Sequence, residues 1–215
     1  MTIKVSGRFI LASASPRRSD LLNQLGLEFE VLPSGIDEAV REGETAEAHV
    51  CRLATSKAGE LANRYPEAWV IGADTIVVIN GDFLGKPATR SEARRMLGML
   101  SGCRHRVYTG VAVMRRSAEV TVSEVVASEV IFKEISPEEM DWYIGTDEPY
   151  DKAGGYALQG RGAFFVKEIH GSYTNVIGLP LCETVNLLKL AGAITFPAVA
   201  PNVKPGDHPG SDNGG

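Results

Sequence analysis

Cysteine is scarce in this chain, and its distribution narrows the possibilities further. The 215 residues contain Cys51, Cys103 and Cys182, odd in number, far apart and in no C-x-x-C pair. That excludes a disulfide framework and a zinc site and points to a reducing compartment. No run approaches the ~18 apolar residues of a membrane span. Lys4 and Arg8 flank no apolar stretch long enough for a signal peptide. Positive charge is not in excess either. A formal net charge of −5 argues against broad nucleic-acid binding, which needs a basic face, yet it leaves room for a small anion in a local basic pocket. Nor is there a G-x-S-x-G elbow, a signalled Ser-His-Asp arrangement, or a second aspartate two residues after Asp74. The expectation is a cytoplasmic protein without membrane or nucleic-acid partners.

At 44% hydrophobic and 23% charged residues the composition is that of a globular chain able to bury a substantial core. Phe9-Ile10-Leu11-Ala12 reads as a buried strand. Ser15 suits a helix N-cap, Pro16 the first helical position, and Leu21, Leu22 and Leu25 recur at helical spacing before Gly26 stops the helix. The pattern predicts a strand over 29–32 and a helix over 45–64 capped by Thr45. It predicts a strand over 69–73 leading into Asp74 and resuming at 76–79, with a hairpin turn at Asn80-Gly81. A capping box at Thr89 and Glu92 opens a helix to Leu100. Strands follow over 104–114 and 120–132, then a helix from Ser136-Pro137, a strand over 163–169 and a helix over 180–190. This interleaving predicts an α/β fold with a mixed sheet flanked by helices. Residues 1–194 are expected to form one domain, and 195–215, rich in Pro, Gly, Asp and Asn, a disordered tail.

Candidate chemistry begins at Ser13-Ala14-Ser15-Pro16-Arg17-Arg18. A helix start offers unpaired N–H groups and the positive end of a dipole, so two hydroxyls and two arginines there suit a phosphate chain. The same residues would also serve a capped amphipathic helix with solvated arginines. Asp74, read at a strand end, is placed to hold Mg²⁺ or activate a water; a turn aspartate is the alternative. The Asp37-Glu38 step could supply a second carboxylate, or be solvated surface. Gly81 to Pro87 resembles a P-loop only superficially, because the spacing is one residue short and Pro87 replaces the magnesium-binding hydroxyl. Lys86 can still meet a phosphate as a point charge. Lys57, on the second helix, faces either the cleft or solvent. The loop Asp151-Lys-Ala-Gly-Gly-Tyr156 permits close backbone approach, and Gln159 can both donate and accept at a nucleobase edge. His105 and His170 read as structural. Together with the missing signatures, these groups narrow the chemistry to metal-assisted attack of water on a phosphate.

In order along the chain, Leu11-Ala-Ser-Ala-Ser-Pro-Arg-Arg18, Gly72-Ala-Asp-Thr-Ile-Val77, Gly85-Lys-Pro87, Leu100-Ser-Gly102, Asp151-Lys-Ala-Gly-Gly-Tyr156 and Val176-Ile-Gly-Leu-Pro180 resemble the Maf family of nucleoside triphosphate pyrophosphatases. The resemblance covers most of the chain. It implies an inosine-triphosphatase-like architecture, a mixed twisted sheet flanked by helices with a central cleft, and hydrolysis of nucleoside triphosphates to monophosphate and pyrophosphate with a divalent cation, Mg²⁺ or Mn²⁺. It also implies a homodimer. Carried over position by position, it makes Asp74 the catalytic base and a metal ligand, Glu38 the second acidic residue, and Ser13, Arg17, Arg18, Lys57 and Lys86 the phosphate contacts. Arg17, Thr75 and Gln159 resemble the subgroup that acts on dTTP and UTP, whereas the 7-methyl-GTP subgroup carries an aromatic residue, Gln and Glu there. The family's link to septum formation implies an alternative, a nucleotide-responsive regulator of cell division.

Overall fold

The computed structural model describes residues 3–197. Over them the chain runs β1 (Lys4–Val5), β2 (Phe9–Ala12), α1 (Pro16–Asn23), β3 (Glu30–Val31), α2 (Ala46–Arg64), β4 (Trp69–Ile79) and β5 (Asp82–Leu84). It continues through α3 (Arg90–Leu100), β6 (Arg104–Arg115), β7 (Val120–Phe132), α4 (Pro137–Ile144), β8 (Val166–His170), α5 (Tyr173–Ile177), α6 (Leu181–Leu190) and β9 (Ile194–Thr195). The main sheet has the order β3-β2-β4-β6-β7-β8, with β5 paired to β4. β2 lies parallel to β3 and β4, and the remaining pairings are antiparallel. The expected mixed α/β sheet with flanking helices is therefore present.

Side chains alternate across β4 and sort into two cores. Val70 packs with Ala54, Ala58 and Leu61 of α2 on one face. Ile71 and Ala73 pack with Leu21 and Leu22 of α1 and Leu187 and Leu188 of α6 on the other. Two glycines let α2 lie flush on the sheet: a Cβ at Gly72 would stand 2.2 Å from the Ala54 carbonyl oxygen, and one at Gly110 2.3 Å from that of Val50. A third core lies under α3 and α4, where Phe132, Tyr143, Tyr156 and Phe165 meet.

The edge of β4 that faces β2 has two successive neighbours. β2 pairs with it from Trp69 to Gly72, and β5 from Val77 to Ile79. Ala73 to Ile76 have no strand partner on that edge, and there the chain of β2 turns away into α1. Asp74 therefore lies in the middle of an eleven-residue strand, not at a strand end as the sequence suggested. The opening that a strand terminus would provide comes instead from the change of neighbour.

Other departures are local. Ala163 to Phe165 belong to a 3₁₀ turn over Arg161–Phe165, so that strand begins only at Val166. Glu92 accepts from the Ala88 N–H, not from its N-cap residue. The Asp151–Tyr156 loop is wound into compact 3₁₀ turns with Gly154 and Gly155 at positive φ. Helix α5, capped by Ser172, carries a signal too short to read beforehand. β9 reaches Thr195, which pairs with Lys4, and the expected tail beyond Pro197 lies outside the described residues. Among those residues no helix is long and apolar enough to cross a membrane.

Candidate active site

A cleft of about 490 Å³ opens at the vacated stretch of the β4 edge. All nine residues singled out from the sequence line it: Ser13, Arg17, Arg18, Glu38, Lys57, Asp74, Thr75, Lys86 and Gln159. Five lysine and arginine side chains face three carboxylates around its walls, so the cleft is locally basic in an acidic protein. Because Asp74 and Thr75 are consecutive in a strand, they point to opposite faces of the sheet. The cleft spans the edge and reaches both.

On the α2 face, Lys57 is buried and points inward. Its Nζ donates to Asp74 Oδ1 at 2.8 Å and stands 2.7 Å from Glu38 Oε1. One ammonium thus joins the buried Asp74 to a glutamate at the cleft mouth. Burial works to raise the Glu38 pKa, but Lys57, with Lys86 and Arg18 behind it, outweighs that and holds it below the usual range. Asp37, its neighbour in sequence, does not reach this cluster; its carboxylate accepts from the Ala39 N–H in a local turn. The loop carrying Glu38 is tied to α2 by Glu44. That carboxylate takes Nε and Nη2 of Arg52 at 2.6 and 2.7 Å and His49 Nδ1 at 3.0 Å, while Arg52 Nη2 also donates to the Ala39 carbonyl. These contacts hold the Glu44 pKa well below the carboxylate range, with Arg52 the leading cause.

On the opposite face, Arg18 is buried. Nε donates to Gly178 O at 2.8 Å, Nη1 to Ala73 O at 2.9 Å and Ser13 Oγ at 3.1 Å, and Nη2 to Thr75 Oγ1 at 3.1 Å. The guanidinium satisfies a carbonyl that the vacated β4 edge leaves without a strand partner. Burial lowers its pKa, though an arginine stays charged regardless. Four of its five N–H donors are committed to protein, which leaves one for a ligand. Ser13 Oγ accepts from Arg18 and from the Ser15 N–H at 3.2 Å. With both acceptor positions filled, its proton is available only for donation, which suits a phosphate oxygen. Ser15 occupies the N-cap of α1 with no side-chain cap bond, and the first turn contains no acidic residue, as an anion-binding terminus requires.

Thr75 Oγ1 lies 2.9 Å from Thr109 Oγ1, which donates to the Asn175 carbonyl. Asn175 itself donates to Val107 O and Ser128 Oγ. This polar seam runs under the site from β4 to β7. Sequence reading missed it, because buried Thr, Asn and Ser carry no periodic signal. Arg17, half-buried, pairs with Asp151 at 3.3 Å. Gln159 and Lys86 are exposed at the cleft rim. His105 lies away from the cleft, buried against Phe132, with Nε2 2.8 Å from the Tyr156 hydroxyl.

Glu38 and Asp74 converge on one cationic group, so the same two carboxylates fit a divalent cation. Among the described residues no three acidic, histidine or cysteine side chains gather into a metal cage. A Mg²⁺ that takes its other ligands from phosphates and water needs only one or two carboxylates.

The profile of the Maf-like protein family matches residues 8–191. The chain is 55% identical over 189 residues to the dTTP/UTP pyrophosphatase of Syntrophus aciditrophicus (strain SB), spanning 88% of this chain and 92% of that one. It is 52% identical over 183 residues to the protein of the same name from Myxococcus xanthus (strain DK1622), spanning 85% and 92%. Among solved structures, the Staphylococcus aureus Ham1 protein aligns at a TM-score of 0.46 and 14% identity, over 74% of this chain and 80% of that one.

Proposed function

We propose that this chain, which belongs to the Maf family, hydrolyses nucleoside triphosphates to monophosphate and pyrophosphate, with dTTP and UTP preferred. The observation that carries this is the convergence of Ser13, Arg17, Lys57, Lys86, Glu38 and Asp74 on one cleft, with Lys57 bridging the two carboxylates.

The Ser13 hydroxyl, the remaining Arg18 N–H, Arg17 and Lys86 take the triphosphate oxygens, and the start of α1 adds its N–H groups. Glu38 and Asp74 would hold a Mg²⁺ or Mn²⁺, which would supply charge neutralisation at the phosphates. Lys57 orients Asp74 through the 2.8 Å contact to Oδ1. Asp74 takes a proton from the attacking water through the carboxylate oxygen that Lys57 does not hold. Cleavage between the α- and β-phosphates then releases pyrophosphate. Positioning and charge neutralisation supply most of the rate. Gln159 reads the base edge, and Arg17 and Thr75 complete the preference for dTTP and UTP. The cytoplasmic setting and the homodimer belong to the same reading; the unpaired Cys51, Cys103 and Cys182 support a reducing compartment.

The test is hydrolysis of dTTP, UTP, CTP, dATP, GTP and 7-methyl-GTP with Mg²⁺ or Mn²⁺, with the phosphorus products resolved. Monophosphate plus pyrophosphate, fastest for dTTP and UTP, is expected. Asp74→Asn is expected to lower kcat by about 10³-fold, within the range of a general base, with nucleotide affinity largely retained. Orthophosphate as product would make the chain a general phosphatase. Binding without turnover under either metal would move it to a regulator of cell division.

A further inference from the structure

The wall of the cleft that carries Gln159 is held by a single carboxylate outside the set described above. Glu148 opens a 3₁₀ turn, Glu148–Asp151, after α4. Its Oε2 accepts from the Arg161 N–H at 2.8 Å, and its Oε1 accepts from the Gly162 N–H and the Tyr143 hydroxyl, each at 2.9 Å. Tyr143 is fully buried in the core beneath. Two consecutive backbone N–H groups, two and three residues after Gln159, therefore bind one carboxylate.

The glycines on either side of Arg161 are what permit this approach. A Cβ at Gly160 would stand 2.5 Å from both carboxylate oxygens of Glu148, and one at Gly162 would stand 2.7 Å from the Tyr143 hydroxyl. The other end of the turn reaches the opposite wall. Asp151 accepts from Arg17 Nη1 at 3.3 Å and pairs with Lys152, whose Nζ also donates to the Glu148 carbonyl. One four-residue turn thus braces the segments of two positions assigned above to base selectivity, Gln159 and Arg17.

We infer that Glu148 is a positioning residue for base discrimination: it holds the 159–162 segment so that the Gln159 amide meets the nucleobase edge. The inference rests on the reading of Gln159 as the base contact. A side chain that must place two hydrogen bonds on a base needs a fixed backbone, because its own torsions are free. Exposed as it is, Gln159 obtains that rigidity from its neighbours. Replacing the carboxylate by an amide sets an NH₂ group against a backbone N–H, so one of the two anchoring bonds must open.

The experiment compares wild type, Glu148→Gln, Gly160→Ala, Gln159→Ala and the Glu148→Gln/Gln159→Ala double variant. It measures kcat and KM for UTP and for CTP, with thermal melting of each protein. Glu148→Gln is expected to raise KM for UTP about tenfold, with a smaller change in kcat, and to cut the UTP-over-CTP ratio of kcat/KM at least fivefold. Gly160→Ala, which crowds the same carboxylate without altering it, is expected to shift the ratio in the same direction, and it carries the test if Glu148→Gln does not fold. The double variant is expected to discriminate no worse than Gln159→Ala alone, since Glu148 acts through Gln159. Equal losses for UTP and CTP in Glu148→Gln and Gly160→Ala, or a lower melting temperature with the ratio intact, would overturn the inference and leave Glu148 a structural anchor. An unchanged ratio in Gln159→Ala would instead overturn the base-contact reading, and the positioning role with it.

Discussion

Gly72 supplies a direct test of whether the packing of α2 on β4 sets the geometry of the chemistry. In Gly72→Ala the new methyl would stand 2.2 Å from Ala54 O, 2.8 Å from Ala58 N and 3.0 Å from Ala58 Cβ, whereas ordinary contact begins at 3.4 Å. The obstructing atoms are backbone, so relief requires the helix to lift by about 1 Å. Lys57 sits on that helix between Ala54 and Ala58, and its target Asp74 is two residues along the same strand face. The displacement is therefore delivered to the Lys57–Asp74 pair. Overpacking of this kind costs about 1–3 kcal/mol of stability, and a misplacement of that size at a reacting group costs on the order of 100-fold in rate. Gly59→Ala is the control. It lies on the same helix, its added methyl meets only the end of Met114 at 3.7 Å, and alanine there gains about 0.8–1 kcal/mol of helix propensity. The assay is kcat/KM for UTP on each purified variant, with urea unfolding alongside. A slow, weakened Gly72→Ala beside an active, slightly more stable Gly59→Ala is expected. A Gly72→Ala enzyme within threefold of wild-type kcat/KM would refute the idea that this contact positions Lys57.

Acid stability is expected to depend on His105. Burial depresses its pKa to about 4, so it stays neutral in the fold while an unfolded chain protonates it near the ordinary ~6.5. Below that value the unfolded state binds the extra proton, so the fold loses about 3 kcal/mol as pH falls from about 6.5 to about 4. Urea unfolding between pH 7 and 4.5 is expected to show this loss, with a flatter dependence in His105→Gln; parallel curves would exclude the assignment. For Arg52→Ala, release of the loop that carries Glu38 is expected to raise the Mg²⁺ concentration for half-maximal rate about tenfold. Arg52→Lys, which keeps charge but not the fork, should fall between, and an unchanged metal requirement in both would separate that loop from metal binding.

Local features of this chain are legible in its sequence because they rest on near neighbours. The strand-turn-helix from Phe9 to Asn23, the Thr45 and Ser136 caps and the Asn80-Gly81 turn follow from residues a few positions apart. The nine cleft residues were identifiable for two reasons: the residue types carry phosphate chemistry, and their order matches the family's motifs. What was not legible depends on distant pairing. Asp74 reads as a strand end because apolar residues stop there, but whether a polar residue ends a strand or only loses a neighbour along one edge depends on β2 and β5. Glu148 reads as one more surface acid until the fold brings residues 161 and 162 onto it. The Glu44–Arg52 fork and the Thr75–Thr109–Asn175 seam likewise join residues whose spacing follows no helical or strand period.

Arg18 has a consequence for how the protein comes into being. Its guanidinium is coordinated by Ser13, by Ala73 and Thr75, and by Gly178, contributed by three widely separated stretches of the chain. Until the last of these leaves the ribosome, the arginine has no complete shell, and the strand edge beside Asp74 has no fixed filling. A partly synthesised or proteolytically shortened chain ending before Gly178 would display most of the phosphate-handling residues without holding them in register. A chain cut before Gly178 is therefore expected to lack turnover although Ser13, Arg17, Lys57 and Asp74 are all present, because the Arg18 shell that fills the strand edge beside Asp74 is incomplete.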